Sequence, residues 1–539
     1  MRRTHILCER GSLSRTSALI ALLGITLGSS IAAAQLPGVG LTDGQPSQEP
    51  RVVELAPPRL IPIDDRPTSG VRVEGHYRLS ADALERPLQE GLRSGLYQQL
   101  RLGATIDLGE VQAVASADLL TGTLLGGAYP PPPAIGDHGA RYFHPVLGGA
   151  DQTLAPRELF LRWESPVGRL QAGLQTSHWG LGLLANDGDI DHETMFTQQV
   201  GGDRVARLLF ATAPFRAMNS RSPLDDLLVA VGADVVIRDE NADINAGDRA
   251  TQAIASVLWR PAPSEVGIYL AYRDQSDRDG STLNVAAFDL AGNHQFYTPG
   301  GTFRFKVAAE AAYLRGETTR ADGATPELPV AIDAAGAAAH LEVRHRPSAL
   351  SLALRSGFAS GDSDPRSDNL HRFRFDPNYQ AGVLLFDQHL PAYTAASVAG
   401  ADDPLRAAAP PRGIDNLVET GAVTNTIFAL PTLTYAGPAG LEVAAGALLA
   451  WSHRPWRDLA ASVEAGGQPV GPRGAPDPGS YLGTEALLGA SYQHLVSPGL
   501  ALQYRALAAM FWPGEAFRDH AGRPDARTAL LRAHITALW

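Results

Sequence analysis

Between Val71 and Trp539 the sequence breaks into segments of alternating apolar and polar residues, and the connections between them sort by length according to parity. One set is short: 109, 165–167, 261–264, 347–348, 436–439 and 495–498. The intervening set is long: 122–155, 179–202, 317–330, 359–421, 454–480 and 513–526. Only 214–225 and 291–301 exceed what a turn needs on the short side. A soluble β-sandwich has no reason to sort its connections in this way. A transmembrane barrel does, with tight turns at one rim and long loops at the other. Each segment is long enough to cross a membrane as a tilted strand, and together they number about eighteen, an even count as in bacterial barrels. Without 71–79 and 282–290, where the alternation is weakest, about sixteen remain. The expected fold is all-β: a transmembrane antiparallel β-barrel over 71–539, with short periplasmic turns and long extracellular loops.

The faces of single segments agree. In the last one, Trp539, Ala537, Ile535, Ala533, Leu531 and Ala529 share one side, while Leu538, Thr536, His534, Arg532, Leu530 and Thr528 lie on the other. Successive strand side chains point to opposite faces, so one face is apolar and the other mostly polar. The same division recurs in Leu441, Val443, Ala445, Ala447, Leu449 and Trp451, and in Leu500, Leu502, Tyr504, Ala506, Ala508, Met510 and Trp512. Trp163, Trp259, Trp451, Trp512 and Trp539 stand at segment ends, where an interfacial girdle belongs.

The N-terminus supplies the route. Arg2, Arg3, Arg10 and Arg15 precede an apolar run over 18–27 and the small residues Ala32, Ala33 and Ala34. That order marks 1–34 as a secretory signal. Residues 35–70, rich in Pro, Gln and Asp without periodicity, read as a flexible periplasmic lead-in. The single cysteine, Cys8, lies within the signal, which leaves the mature chain without disulfides or thiolate metal ligands.

The inward-facing positions are unusually charged. The basic ones are Arg72, Arg78, Arg101, Arg162, Arg169, Arg207, Arg238, Arg304, Lys306, Arg344, Arg346, Arg355, Arg505 and Arg532. They outnumber the acids on the same faces (Glu74, Asp107, Asp118, Glu158, Glu164, Asp234, Glu310, Glu342 and Glu485), although the chain as a whole carries a net charge of -12. A barrel of this size leaves an interior too wide for side chains to fill, and fixed arginines in a pore favour anions. The alternative is that these charges pair across the wall and only hold it rigid.

Two further stretches bear on ligands. Asp187, Asp189 and Asp191 alternate as the early positions of a calcium loop do, and 239–248 repeats the pattern with Asp and Asn. An extracellular calcium site is expected there, against the plainer reading of a solvated acidic loop. No other cofactor is indicated. No G-x-S-x-G, H-E-x-x-H or glycine-rich phosphate loop occurs, so no enzyme is expected. His178, His494 and His534 fall on strands, where a structural or lumen role is the better reading than a lipase triad.

The stretch 356–387, SGFASGDSDPRSDNLHRFRFDPNYQAGVLLFD, resembles the long-loop motif of the alginate-export family of outer-membrane barrels. The stretch 167–189, VGRLQAGLQTSHWGLGLLANDGD, is similar to that family's G-x-Q hairpin and glycine-bearing loop. The resemblance implies an eighteen-stranded barrel with an arginine-rich pore, and a loop 359–421 folded over or into the pore mouth. It also matches Asp362, Asp364 and Asp368 to the family's acidic turn, with a structural part for them. Residues and resemblance together lead to the expectation of a porin-like channel for small or anionic solutes. A plugged structural or adhesive barrel is the alternative. The expected surroundings are outer-membrane lipid, lipopolysaccharide and the barrel-assembly machinery, with no nucleic-acid partner.

Overall fold

Alternation along each segment leaves backbone N–H and C=O groups that only neighbouring strands can satisfy, and in lipid no edge can remain open. The computed structural model resolves this by closure. It describes residues 70–85, 92–126, 154–199, 201–218, 222–321, 328–362, 367–401, 418–419, 421–465, 468–476 and 478–539. The expected signal and most of the lead-in lie outside the described residues.

The first strands are β1 (Gly70–Glu85), β2 (Leu92–Asp107), β3 (Val111–Gly126), β4 (Leu154–Ser165), β5 (Gly168–Thr176) and β6 (Arg204–Thr212). Next come β7 (Leu227–Arg238), β8 (Arg249–Trp259), β9 (Ser264–Ser276), β10 (Thr282–Tyr297), β11 (Phe303–Thr318) and β12 (Val330–His345). The wall is completed by β13 (Leu350–Ala359), β14 (Thr426–Ala436), β15 (Leu441–Ser452), β16 (Tyr481–Ser497), β17 (Leu500–Pro513) and β18 (Thr528–Leu538). The sheet counts nineteen strands, and removing the two-residue Asn369–Leu370, which runs parallel to the start of β12, leaves eighteen in the wall. Each wall strand is antiparallel to its chain neighbour, and β1 pairs with β18 from His76↔Leu538 to Leu84↔Leu530. The wall is a closed antiparallel barrel.

Both of the weakly alternating segments are strands, and longer than the alternation suggests. β1 runs to Glu85 and β10 to Tyr297, because their ladders with flanking strands continue past the apolar stretch. Extension of β10 reduces the anomalous short-side connection to 298–302, which sharpens the parity. The other anomaly, between β6 and β7, remains long and holds the helical turn Pro214–Ala217.

The outer face is apolar, with Leu159, Leu161, Leu208, Leu290, Leu352, Leu433, Leu488 and Ile535 among its exposed residues. Trp163, Trp259 and Trp539 close this belt at the short-turn rim, and Trp451 and Trp512 at the long-loop rim, all exposed. Two aromatic girdles flanking an apolar band are the exterior of a membrane-spanning barrel. No helix among the described residues is long and apolar enough to cross a membrane.

Candidate functional site

On β18, Thr528, Leu530, Arg532, His534 and Thr536 are all buried on the lumen side. What occupies the lumen is two of the long connections, which turn inward instead of standing out in solvent.

The β5–β6 connection (177–203) enters first. Trp179 is buried and donates its indole N–H to Asp289 on β10 at 3.0 Å. Glu310 on β11 accepts the backbone N–H groups of Leu181 and of Leu183, the latter at 3.1 Å. Further along, Glu193 is gripped by Arg78 at 2.7 Å and Arg505 at 3.0 Å, and Arg505 also donates to the carbonyls of Thr194 and Thr197. The Phe196 ring lies against Gly446 and the Met195 side chain against Gly489, where a Cβ on the wall would collide with them.

The β13–β14 connection (360–425) fills much of the rest. Phe373, Phe375, Val383, Leu384, Leu385, Phe386 and Leu390 are fully buried against Phe428, Leu430, Leu448, Leu482 and Phe511 of the wall. A π-helical turn, Leu385–His389, runs into α1 (Leu390–Ala401). Its leading N–H groups would be orphaned in this apolar setting. Glu485 on β16 satisfies them, accepting from Val383, Leu384 and Leu385 at 2.7, 3.1 and 3.0 Å. The two inward segments also bond to each other, through Asp376 N–H to the Leu183 carbonyl at 2.7 Å and Gln199 Nε2 to the Asn378 carbonyl at 2.8 Å. The expectation that the long loop folds into the pore is met, whereas the inward course of 177–203 was not foreseen. Glu310 and Glu485, read from sequence as lumen charges, are anchors for backbone.

Most of the inward arginines hold a carboxylate. Arg532 clamps Asp82 across the β18–β1 seam at 2.8 to 3.1 Å. Arg101 clamps Asp118 at 2.6 and 3.1 Å, and Arg207 clamps Asp234 at 2.7 Å through two nitrogens. Arg304 meets Glu342 at 2.7 Å, Arg238 meets Asp243 at 3.2 Å, and Arg169 pairs with Glu164. Arg162 donates to Gln112 at 3.1 Å and lies against the Gln171 amide. Lys306 stands opposite Glu342 in the β11–β12 register. Arg344 and Arg355 differ: neither has a carboxylate within ion-pair distance among the described residues. Arg355 lies over the Tyr379 ring, 5.0 Å from its centroid, and donates to His340 Nε2 at 3.2 Å. The lumen thus combines rigid ion pairs with cations, Arg344 and Arg355 among them, that have no carboxylate partner among the described residues. The architecture is a closed eighteen-stranded barrel with two segments folded into its lumen.

The loop acids take structural places. The Asp362 carboxylate accepts the His371 N–H at 3.2 Å, and the Asp368 carbonyl accepts the Ala331 N–H at 2.9 Å, starting the Asn369–Leu370 pairing with β12. Asp364 lies outside the described residues. The spaced carboxylates of the expected calcium loop do not converge. Asp189 caps the turn Ile190–His192 by accepting the Asp191 N–H at 3.3 Å, and Asp191 is exposed. Asp187 instead lies between His178 and His192, whose nitrogens are 3.6 and 3.4 Å from its Oδ1. His178 is on the connection, since β5 ends at Thr176. Burial opposes ionisation of Asp187, but the two imidazoles outweigh it and hold its carboxyl well below the usual range. Burial likewise disfavours a charged His192, and Asp187 outweighs it, raising that pKa.

No protein-family model matches the chain, and no curated protein does. Among solved structures, OccAB2 of Acinetobacter baumannii is 12% identical with a TM-score of 0.48, over 87% of this chain and 98% of that one. OccK2 (OpdF) of Pseudomonas aeruginosa, in complex with glucuronate, is 12% identical with a TM-score of 0.45, over 86% and 95%. OccK8 (OprE) of Pseudomonas aeruginosa is 10% identical with a TM-score of 0.45, over 87% and 98%. Similarity this loose assigns neither a relative nor a solute.

Proposed function

We propose that this chain is an outer-membrane channel through which small anionic solutes pass passively, narrowed by the two inward segments. The observation that carries the reading is that basic side chains outnumber acidic ones at the inward positions of the closed wall, with Arg344 and Arg355 in no ion pair among the described residues. Asp82, Asp118, Glu164, Asp234 and Glu342 are each held by an arginine, and Glu310 and Glu485 by backbone N–H groups. Arg344 and Arg355 lack such a carboxylate among the described residues, which leaves their guanidinium groups to meet a passing ion. Fixed cationic donors of this kind can replace the hydration of a passing anion. Purified protein in planar bilayers should give discrete conductance steps, with a reversal potential under a KCl gradient displaced toward the chloride equilibrium potential. A cation-selective reversal potential would overturn the anion preference.

The finer reading is a uronate or a polyuronate as solute, resting on the resemblance of 356–387 and 167–189 to the alginate-export family. Galacturonate added to one chamber should then reduce the chloride current more than neutral galactose does. Membrane lipid, lipopolysaccharide and the barrel-assembly machinery complete the proposed surroundings. A second reading, a plugged structural or adhesive barrel, is favoured by the fully buried Phe373, Phe375 and Phe386 inside the wall. It predicts no conductance above background, which separates it from the first.

A further inference from the structure

Three carboxylates from three different connections meet at the long-loop end of the lumen. Asp203 closes the β5–β6 segment, Glu240 lies between β7 and β8, and Asp376 belongs to the β13–β14 segment. One oxygen of each lies within 4.8 Å of the other two. Asp203 is 7% exposed and Asp376 2%, and Oδ1 of the first and Oδ2 of the second have no hydrogen-bond partner. The remaining Asp376 oxygen accepts the Asn378 N–H at 2.7 Å, and Glu240 accepts the Asn241 side-chain amide at 2.6 Å. Neighbouring arginines are already engaged. Arg273 is bidentate on Asp239, and Arg374 lies 3.9 Å from Glu419. Buried carboxylates are ordinarily paired or coordinate a metal, and here two bare oxygens from separate segments face a third acid.

We propose that Asp203, Glu240 and Asp376 form a calcium-binding site that clasps the two inward segments to the β7–β8 connection. The donor set is all oxygen, which suits a hard cation over zinc or copper. Bonds of about 2.3–2.6 Å place oxygens as far as about 5 Å apart across one calcium ion, whereas magnesium at about 2.0–2.1 Å requires a tighter set. Water and nearby carbonyls complete the shell. Burial raises all three carboxyls, with repulsion from neighbouring acids adding to it (Asp376 and Glu240 on Asp203, Glu240 on Asp376, Asp239 on Glu240), and Glu240 is pushed up to about 7, so in the absence of a cation protons would have to occupy the cluster. The site is distinct from Asp187, Asp189 and Asp191, and its ion would fix how far the inward segments protrude into the lumen.

The test uses the full-length barrel folded in detergent, stripped with EDTA and titrated with calcium chloride by calorimetry, with hydrogen exchange read on 183–203 and 368–380. Expected are one saturable calcium site per chain, slower exchange of both segments on binding, and weaker binding of magnesium. Glu240→Gln and Asp376→Asn should each weaken calcium binding at least tenfold, while Asp189→Asn leaves it unchanged. Heat-modifiable migration in gels confirms that each variant is a folded barrel, and Glu240→Gln, at the least buried of the three, serves if Asp376→Asn does not fold. Failure of wild-type protein to bind calcium at millimolar concentration would overturn the proposal. So would calcium binding undiminished in Glu240→Gln, which would place the ion elsewhere.

Discussion

Asp387 sits inside the barrel on the β13–β14 segment, and burial pushes its carboxyl up to about 7 against the pull of Arg532, with Glu485 adding to the rise. An acid whose folded pKa is raised binds a proton in the docked state that it would release in the free one. Docking is therefore strongest near and below the ordinary carboxyl range and weakens as pH climbs toward 7, then levels off. The full span is on the order of a few kcal/mol. Thermal stability and the fraction of time spent in the low-conductance state should both fall between pH 5 and pH 8. Asp387→Asn should flatten that dependence, and an unchanged profile in the variant would remove Asp387 as its source. At the same scale, Arg355 carries charge that no described carboxylate matches. A unit charge about 8 Å from a permeating ion in a water-like dielectric is worth about 0.5 kcal/mol, favourable for an anion and unfavourable for a cation, so Arg355→Ala should lower the anion-over-cation permeability ratio roughly fivefold. Equal reversal potentials for variant and parent would exclude it from selectivity. Period two placed each of these arginines on the inner face from sequence alone. It could not reveal their partners, because Glu193, which joins Arg78 to Arg505, arrives from a segment far away in the chain.

Each inward segment is held by one wall carboxylate aimed at its backbone, Glu310 for the β5–β6 connection and Glu485 for the β13–β14 one. Such an anchor works because the N–H groups of the segment have no water to turn to, so leaving one buried and unpaired costs about 1–3 kcal/mol. Glu485→Ala would orphan three at once and should release Val383–Leu385 into faster exchange, with noisier conductance and a lowered Tm. Exchange as slow as in the parent protein would mean that the apolar contacts of Phe373, Phe375 and Phe386 suffice. Little of this was legible in advance. The run Val383–Phe386 is apolar and lies in a segment too long for a turn, which was the available sign that the loop must bury itself. The HWG stretch at His178 gave less warning, since Trp179 is a single large residue among small ones. The wall strands were easier, because face alternation is a local property. Their ends were not, since β1 and β10 continue on ladder hydrogen bonds where the alternation of apolar residues lapses.

The barrel exists only once its first and last strands meet, and the seam between them joins residues from the two ends of the folded chain. There Arg532 clamps Asp82, His534 Nδ1 lies 2.7 Å from Ser80 Oγ, and Trp539 exchanges backbone hydrogen bonds with Gly75 at 2.9 and 3.1 Å. The Trp539 ring packs beside Gly75, where a Cβ would stand 3.1 Å from the indole. This terminal residue therefore has two attachments, one to the seam through its backbone and one to the short-turn girdle through its ring. Deleting Trp539 removes both, and the amount of heat-modifiable barrel recovered from outer-membrane fractions should drop severalfold. Trp539→Phe keeps the backbone bonds and an aromatic at the interface, so it should recover most of the lost yield. Trp539→Ala keeps only the backbone bonds, and its yield would separate closure of the seam from anchoring at the interface. If the deletion assembles as well as the parent, neither attachment governs assembly, and closure must be set by the interior pairs alone. A double change at Asp82 and Arg532 to the neutral residues Asn and Gln then becomes the decisive variant, since it spares the rim and removes the seam's buried charge.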